Sequence, residues 1–311
     1  MVGRRLLLLG GLTAGALAAL WAYARLLVRR CENLDLADVR KPGNTIRLDG
    51  VAIHYVDQGR GPPLVLIHGL GGHTYNFRCN IPVLSKHLRV VALDLKGFGY
   101  SERPVVGDYS LTAQARLVGR LMERLDISRA AVLGHSMGAA IALRLAVICP
   151  EKVGRLILVG SAPPNGMVPR LAGSPLLRPL LRLGTALVLH QPGLREEVLR
   201  QGFYAPAFLS AEMLEEFRRS ASIRGSTNAI ASLLSDAARD EPLDLSRVSQ
   251  PVLLLWGEGD RWTNLRLARR LADELPDARL QVIDRARHMV LEERADEANE
   301  AILAFLCGGS T

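Results

Sequence analysis

Six short, continuous runs of apolar residues constrain the fold of this 311-residue chain more than any other feature. They occupy residues 64–69, 90–95, 130–136, 156–160, 252–257 and 280–284. Runs of this length and uniformity are typical of strands that are buried on both faces of a parallel sheet. An earlier segment, VAIHYVDQG at residues 51–59, alternates apolar and polar side chains and predicts a half-buried strand.

Helical patterns lie between these predicted strands. Apolar side chains recur at helical spacing over residues 111–125, 137–148, 265–275 and 297–306. The alternation of strand and helix predicts an α/β fold, in which helices flank a mostly parallel sheet. Such folds bind ligands at the carboxyl ends of their strands, so we expect functional residues on the loops that follow the strands.

One long segment interrupts this alternation. Residues 162–248 contain no predicted strand, and proline and glycine separate three or four helical stretches. We interpret this segment as a helical lid inserted into a core that comprises residues 48–161 and 249–307. The alternative is an ordinary set of crossover helices.

The amino-terminal residues 1–30 form a separate unit, joined to the core by a predicted linker at residues 31–47. Leu6–Ala24 is almost entirely apolar, and roughly 19 helical residues nearly cross a hydrocarbon core of about 30 Å. We therefore expect a transmembrane signal anchor that holds the protein at a membrane. Two alternatives remain open: a signal peptide cleaved near AYA at residues 22–24, with secretion of the body, and a helix packed on the body.

Charge and cysteine content exclude other classes of function. The formal net charge is +8, and five of the arginines lie within the acid-free residues 1–30. The remaining excess is small, so the composition gives no indication of a nucleic-acid partner. The four cysteines form no C-x-x-C pair, and no glycine-rich dinucleotide motif occurs. We expect neither a metal nor an organic cofactor.

The motif GHSMG at residues 134–138 places Ser136 between two glycines, after a predicted strand and before a predicted helix. Gly134 and Gly138 tolerate the close backbone approach that so tight a turn requires. The turn raises the serine hydroxyl above the edge of the sheet, beside a helix amino terminus that favours negative charge. This G-x-S-x-G arrangement predicts that Ser136 is a catalytic nucleophile. The alternative is a serine that only caps the helix.

A serine nucleophile needs a base, usually histidine, that a carboxylate orients. The expected chain order is serine, then acid, then histidine. Asp260 ends WGEGD after one predicted strand, and His288 ends RARH after the next. We therefore predict a triad of Ser136, Asp260 and His288. Glu258 and Asp284 are rivals for the acid.

An oxyanion that forms on the substrate needs backbone N–H donors already in place. The N–H of Met137, directly after the nucleophile, is one candidate. The second is expected in HGLGG at residues 68–72, where we favour Leu70 over Gly71.

These motifs, together with DLKGFGYSERP at residues 94–104 and RARHMVLEE at residues 285–293, resemble the α/β-hydrolase superfamily. The similarity covers about residues 48–306 and is greatest to the lidded subfamily of esterases, monoacylglycerol lipases, carbon–carbon bond hydrolases and epoxide hydrolases. It implies the triad named above. Serine in place of a nucleophilic aspartate disfavours epoxide hydrolysis, so the resemblance implies acyl transfer.

Three functions remain open from the sequence. The first is hydrolysis of carboxylic esters, including lipid-derived ones such as monoacylglycerols, with lid aromatics Phe203, Tyr204, Phe208 and Phe217 forming an apolar pocket. The second is carbon–carbon bond hydrolysis of a diketone acid, which requires a basic lid residue for the substrate carboxylate. The candidates for that residue are Arg195, Arg200, Arg218 and Arg224. The third is a non-catalytic relative that binds a ligand in the same pocket.

Overall fold

The computed structural model describes residues 18–39 and 41–308. Within them, eight strands form one sheet in the order β1-β2-β4-β3-β5-β6-β7-β8. The strands are β1 (Asn44–Leu48), β2 (Val51–Gln58), β3 (Pro63–Ile67), β4 (Arg89–Leu93), β5 (Ala130–His135), β6 (Val153–Val159), β7 (Val252–Gly257) and β8 (Ala278–Ile283). The order β4-β3-β5-β6-β7-β8 is parallel throughout, which confirms the predicted mostly parallel sheet.

The antiparallel edge of the sheet corrects the predicted linker at residues 31–47. β1 pairs antiparallel with β2, and β2 pairs antiparallel with β4. The linker prediction is therefore wrong from Asn44 onward, because NTIRL continues the sheet. Four of the five residues of β1 are not buried, which is why it lacks the apolar signal of a central strand.

Helices cover both faces of the sheet, as the alternating pattern predicted. They are α2 (Ile81–Leu84), α3 (Leu111–Arg124), α4 (Met137–Ile148), α9 (Leu265–Glu274), α10 (Val290–Glu293) and α11 (Ala295–Cys307), and α1 denotes the helical residues 18–31. Alternate side chains of β3 enter two separate apolar clusters. Val65 and Ile67 pack with α3, α4 and α9, whereas Leu64 and Leu66 pack with α2 and α11. The strands are thus buried on both faces, as their continuous apolar runs required.

Four helices lie between β6 and β7, where the sequence predicted three or four. They are α5 (Arg178–His190), α6 (Pro192–Gln201), α7 (Ala211–Ala221) and α8 (Ser226–Ala237). Every residue between the two strands is described, and none of them belongs to a strand of the sheet. Since this insertion follows the carboxyl end of β6, it lies at the edge of the sheet where the predicted site residues occur.

The described amino-terminal residues pack against the insertion. Ala24 of α1 is buried, and the buried carboxylate of Glu32 accepts hydrogen bonds from the N–H groups of Gly225 and Thr227, each at 2.7 Å. Most of the proposed span Leu6–Ala24 lies outside the described residues. Among the residues described, no helix is both long and apolar enough to traverse a membrane. The prediction of a transmembrane anchor therefore lacks support.

Candidate active site

Ser136 occupies a strained turn between β5 and α4. Its backbone has φ 54° and ψ −117°, a conformation that residues other than glycine rarely adopt. The flanking glycines permit the turn. A Cβ on Gly138 would lie 2.2 Å from the carbonyl oxygen of Ile67, and one on Gly134 would lie 2.3 Å from the carbonyl oxygen of Gly138. The Ser136 N–H donates to the carbonyl of Val159 at 2.8 Å, which fixes the turn to the end of β6.

Asp260 and His288 meet on the loops after β7 and β8. Nδ1–H of His288 donates to Oδ2 of Asp260 at 2.8 Å, and both side chains are buried. The two rival acids, Glu258 and Asp284, are exposed. Asp284, which the sequence analysis placed within a strand, lies one residue beyond the end of β8. Of the acids considered, only Asp260 forms a described hydrogen bond with a histidine.

The remaining lone pairs of Asp260 are also occupied. Oδ1 accepts from the N–H groups of Trp262 and Thr263, each at 2.9 Å, and Oδ2 lies 2.8 Å from the Thr263 hydroxyl. Burial opposes ionisation, but the hydrogen bond and charge of His288 and the bonds from Thr263 outweigh it. They hold the pKa of Asp260 below its usual value. Asp260 is therefore a carboxylate near neutral pH.

The sequence analysis did not identify Thr263. Its hydroxyl lies 2.8 Å from Oδ2 of Asp260, 3.1 Å from the carbonyl oxygen of Gly160 and 3.3 Å from Nδ1 of His288. A hydroxyl three residues after an aspartate is the available signal, because short side chains at this spacing often bond within a turn.

Gly160 and His135 connect the Asp260–His288 pair to the serine turn. Gly160 directly follows Val159, the acceptor of the Ser136 N–H, and a Cβ on Gly160 would lie 3.2 Å from Nδ1 of His288. His135, directly before Ser136, donates through Nε2 to the carbonyl of His288 at 2.9 Å. The three residues predicted as a triad therefore lie at one edge of the sheet.

His135 is itself unsuited to act as a base. Burial, with a smaller contribution from the charge of His288, lowers the pKa of His135 to about 3, so the ring is neutral near pH 7. Its ring centroid lies 4.8 Å from that of His288. His135 thus supports the position of His288.

The loop at residues 68–72 borders the serine turn. A Cβ on Gly69 would lie 3.1 Å from the Cβ of Ser136. Nε2 of His68 accepts from the Leu95 N–H at 3.0 Å, and its Nδ1–H donates to the carbonyl of Gly69 at 2.7 Å. The His68 ring therefore fixes the start of this loop. Leu70 is 45% exposed, and Gly71 has φ +72°, so the chain reverses directly after Leu70.

The insertion contacts the core at His73, Tyr75 and Tyr100 through acidic side chains of α7. Glu212 accepts from the Tyr75 hydroxyl and Glu216 from the Tyr100 hydroxyl, each at 3.1 Å. Glu216 also lies 3.9 Å from Nε2 of His73, a fully buried ring. His73 is thus at the boundary between the core and the insertion.

The four lid arginines considered as carboxylate ligands all bond to other groups. Arg195 donates to the carbonyl of Leu189, and Arg224 pairs with Asp35. Arg200 pairs with Glu196 and Glu197, and Arg218 pairs with Glu215. Within the described part of the chain, no cluster of three or more histidine, cysteine, aspartate or glutamate side chains has the arrangement of a metal site.

Comparison with known proteins agrees with this geometry. The family profile described as alpha/beta hydrolase fold matches residues 62–295, about three quarters of the chain. The chain belongs to the α/β-hydrolase family. In this α/β hydrolase the serine turn, the acid loop and the histidine loop occur at the carboxyl ends of β5, β7 and β8.

Three similar proteins illustrate the range of the family. The dihydrolipoyllysine-residue acetyltransferase component of the acetoin cleaving system of Pseudomonas putida is 34% identical over 79% of this chain, which spans 64% of that protein. The 2-hydroxy-6-oxo-6-phenylhexa-2,4-dienoate hydrolase of Burkholderia cepacia is 30% identical over 84% of this chain and 93% of its own. The crystal structure of a membrane phospholipase A, described as a bacterial virulence factor, has TM-score 0.73 and 28% identity over 97% of this chain and 96% of its own.

Proposed function

We propose that this α/β hydrolase cleaves carboxylic esters through an acyl-enzyme on Ser136. The observation that carries the proposal is the 2.8 Å hydrogen bond between Asp260 and His288, located beside a serine in a strained turn. Hydrolysis as such follows from the family; the ester substrate and the residue roles are our inference.

The reaction has two balanced steps. In the first, His288 Nε2 takes the Ser136 hydroxyl proton while Oγ attacks the ester carbonyl, and the alcohol leaves with that proton, which gives an acyl-serine. In the second, His288 takes a proton from water, whose oxygen attacks the acyl-serine, and His288 returns that proton to Oγ of Ser136 as the bond to the acyl group breaks and the acid leaves. Asp260 holds His288 with Nδ1 protonated, so Nε2 is free to accept.

Charge on the tetrahedral intermediates requires donors beside Ser136. The backbone N–H of Met137, at the start of α4, and that of Leu70 are the proposed pair, with Gly71 as the alternative to Leu70. The position of the 68–72 loop against the Cβ of Ser136 supports this assignment.

An apolar acyl chain suits the boundary between lid and core. Phe203, Met213, Phe217 and Met289 form a buried cluster, and Met289 directly follows His288. Tyr204 and Phe208, which the sequence analysis assigned to the same pocket, are about half exposed. We propose a lipid-derived ester as substrate; the name of the similar phospholipase A agrees with this class.

Carbon–carbon bond hydrolysis is the second candidate, because several similar proteins are named for it. Such a substrate carries a carboxylate. Of the arginines considered, Arg200, Arg218 and Arg224 pair with carboxylates, and Arg195 bonds only to a neutral carbonyl. The insertion also presents Glu216 to His73 and Tyr100 of the core, which disfavours an anionic substrate at that position.

A direct competition of substrates tests the proposal. The purified full chain is assayed on p-nitrophenyl esters of increasing acyl length and on 2-hydroxy-6-oxo-6-phenylhexa-2,4-dienoate, with Ser136→Ala as the matched control. We expect Ser136-dependent ester turnover that rises with the length of the acyl chain. We expect no hydrolysis of the dienoate above that of the Ser136→Ala control. A kcat/KM for the dienoate that exceeds every ester would overturn the ester assignment.

A further inference from the structure

The lid exposes an apolar surface that the reaction does not use. We call it the lid stripe: Leu171, Leu176, Leu180, Val188 and Leu194. Leu171 and Leu176 are 72% and 86% exposed, and Leu180 is 54% exposed. Leucines this accessible, and this close in the chain, are unusual on a free protein surface and mark a contact.

The geometry of α5 aligns part of this stripe. Leu180, Gly184 and Val188 follow one another at intervals of four residues, which places them in one row along the helix, and all three are exposed. Leu176 lies four residues before Leu180, in the 3-10 turn that precedes α5. Thr185, Ala186 and His190, on the other side of the helix, are buried. The apolar row therefore faces away from the protein.

Most charged side chains beside the lid stripe are basic; the exposed Glu197, three residues after Leu194, is an exception. Residues 152–195 contain no aspartate or glutamate, and Arg170, Arg178 and Arg182 are exposed beside the leucines. Arg182 bonds to the neutral side chain of Asn228, so its charge is not offset there. Arg178 makes a 3.4 Å pair with Asp236, which offsets part of its charge. Exposed leucines flanked by arginines match the acyl boundary and headgroups of an anionic bilayer.

We propose that the lid stripe is a peripheral contact with an anionic lipid bilayer, with the leucines in the acyl boundary and the arginines at the headgroups. A second copy of the chain fits less well, because it would bring the same arginine-bearing surface against itself. The proposal does not depend on the reaction or on a membrane-spanning helix.

Fluorescence quenching at single positions tests the contact in the full chain. Leu180→Trp is compared with Ile148→Trp, because Ile148 is also partly exposed. Ile148 ends α4 near the start of β6, at the amino ends of the strands and so away from the insertion. Each variant is mixed with phosphatidylglycerol–phosphatidylcholine vesicles, with and without brominated acyl chains. We expect bromination to quench the tryptophan at position 180 and to leave the one at position 148 unchanged, after subtraction of the parent signal.

The charge is tested separately. Each basic residue near such a surface contributes about 1 kcal/mol, so Arg178→Gln combined with Arg182→Gln should lower affinity for the anionic vesicles by up to about thirtyfold and leave binding to pure phosphatidylcholine unchanged.

Three results would overturn the proposal. One is vesicle binding in which positions 148 and 180 are quenched equally, because the chain would then bind through another region. The second is no vesicle binding at all. The third is a dimer that forms without lipid and dissociates in the double variant Leu176→Ser, Leu180→Ser, while the tryptophan at position 180 is not quenched by vesicles. That result would assign the stripe to an interface between copies of the chain.

Discussion

Oδ2 of Asp260 accepts a hydrogen bond from Nδ1–H of His288 at 2.8 Å, although 28 positions separate the two residues in the chain. The pair forms because β7 and β8 are parallel neighbours, so the loops after their carboxyl ends meet. A buried carboxylate on Nδ1 selects the histidine tautomer whose Nε2 can accept a proton.

Asp260→Asn should therefore lower kcat by about 10⁴-fold, because an amide at this position selects the other tautomer. The controls are Glu258→Gln and Asp284→Asn, which alter the exposed rival acids and should leave kcat within about twofold. Ester hydrolysis by the three purified variants gives the comparison. Equal losses in Asp260→Asn and either control would contradict the assignment of the acid.

Thr263 should act as a positioning residue for this pair. Thr263→Val removes the hydroxyl 2.8 Å from Oδ2 of Asp260 and keeps the shape of the side chain. We expect kcat/KM to fall about tenfold, since a hydrogen bond to a charged group contributes roughly 1.5–3 kcal/mol. Thr263→Ser restores the hydroxyl and should recover most of the activity. A kcat/KM for Thr263→Ser no higher than that of Thr263→Val would show that packing, not the hydrogen bond, matters.

Two helical glycines should respond to alanine in opposite directions. Gly119 in α3 has room for a Cβ, whose nearest neighbour would be a Leu145 methyl at 3.5 Å, so Gly119→Ala should raise the free energy of unfolding by about 0.5–1 kcal/mol. Gly138→Ala would place a Cβ 2.2 Å from a backbone oxygen of β3 and should prevent a stable fold. Chemical denaturation of both variants tests the pair; a folded, active Gly138→Ala would refute the close approach of the serine turn to β3.

Buried neutral histidines should make stability depend on pH. Burial lowers the pKa of His135 to about 3 and that of His68 to about 4, below the usual histidine value of 6.5. As pH falls below about 6.5, the unfolded chain binds protons that the native state does not, so the free energy of unfolding decreases. Each histidine contributes a slope of about 1.36 kcal/mol per pH unit down to its native pKa.

Removal of one histidine isolates this effect. His135→Gln keeps a donor for the carbonyl of His288. In this variant the slope of the free energy of unfolding against pH, between about pH 6 and pH 4, should be smaller by about 1.36 kcal/mol per pH unit. Urea denaturation across this range gives the slope for parent and variant. An unchanged slope would mean that His135 is protonated in the native state.

The sequence predicted those parts of the molecule that local pattern determines. Continuous apolar runs specified the central strands, and the order of motifs brought Ser136, Asp260 and His288 to one edge of the sheet. β1 was missed because an edge strand lacks that apolar run. Thr263, the bonds of Glu32 to the start of α8, and the approach of Glu216 to His73 were missed because they depend on distant segments meeting, which periodicity and spacing do not encode.

The central claim is that folding makes the hydroxyl of Ser136 reactive, and covalent labelling tests it most directly. The full chain is treated with a fluorophosphonate probe, digested and analysed by mass spectrometry, beside Ser136→Ala and Asp260→Asn. The account predicts one adduct, on Ser136, absent in Ser136→Ala and much slower to form in Asp260→Asn. A folded parent chain that carries no adduct, or carries it on a different serine, would contradict the account.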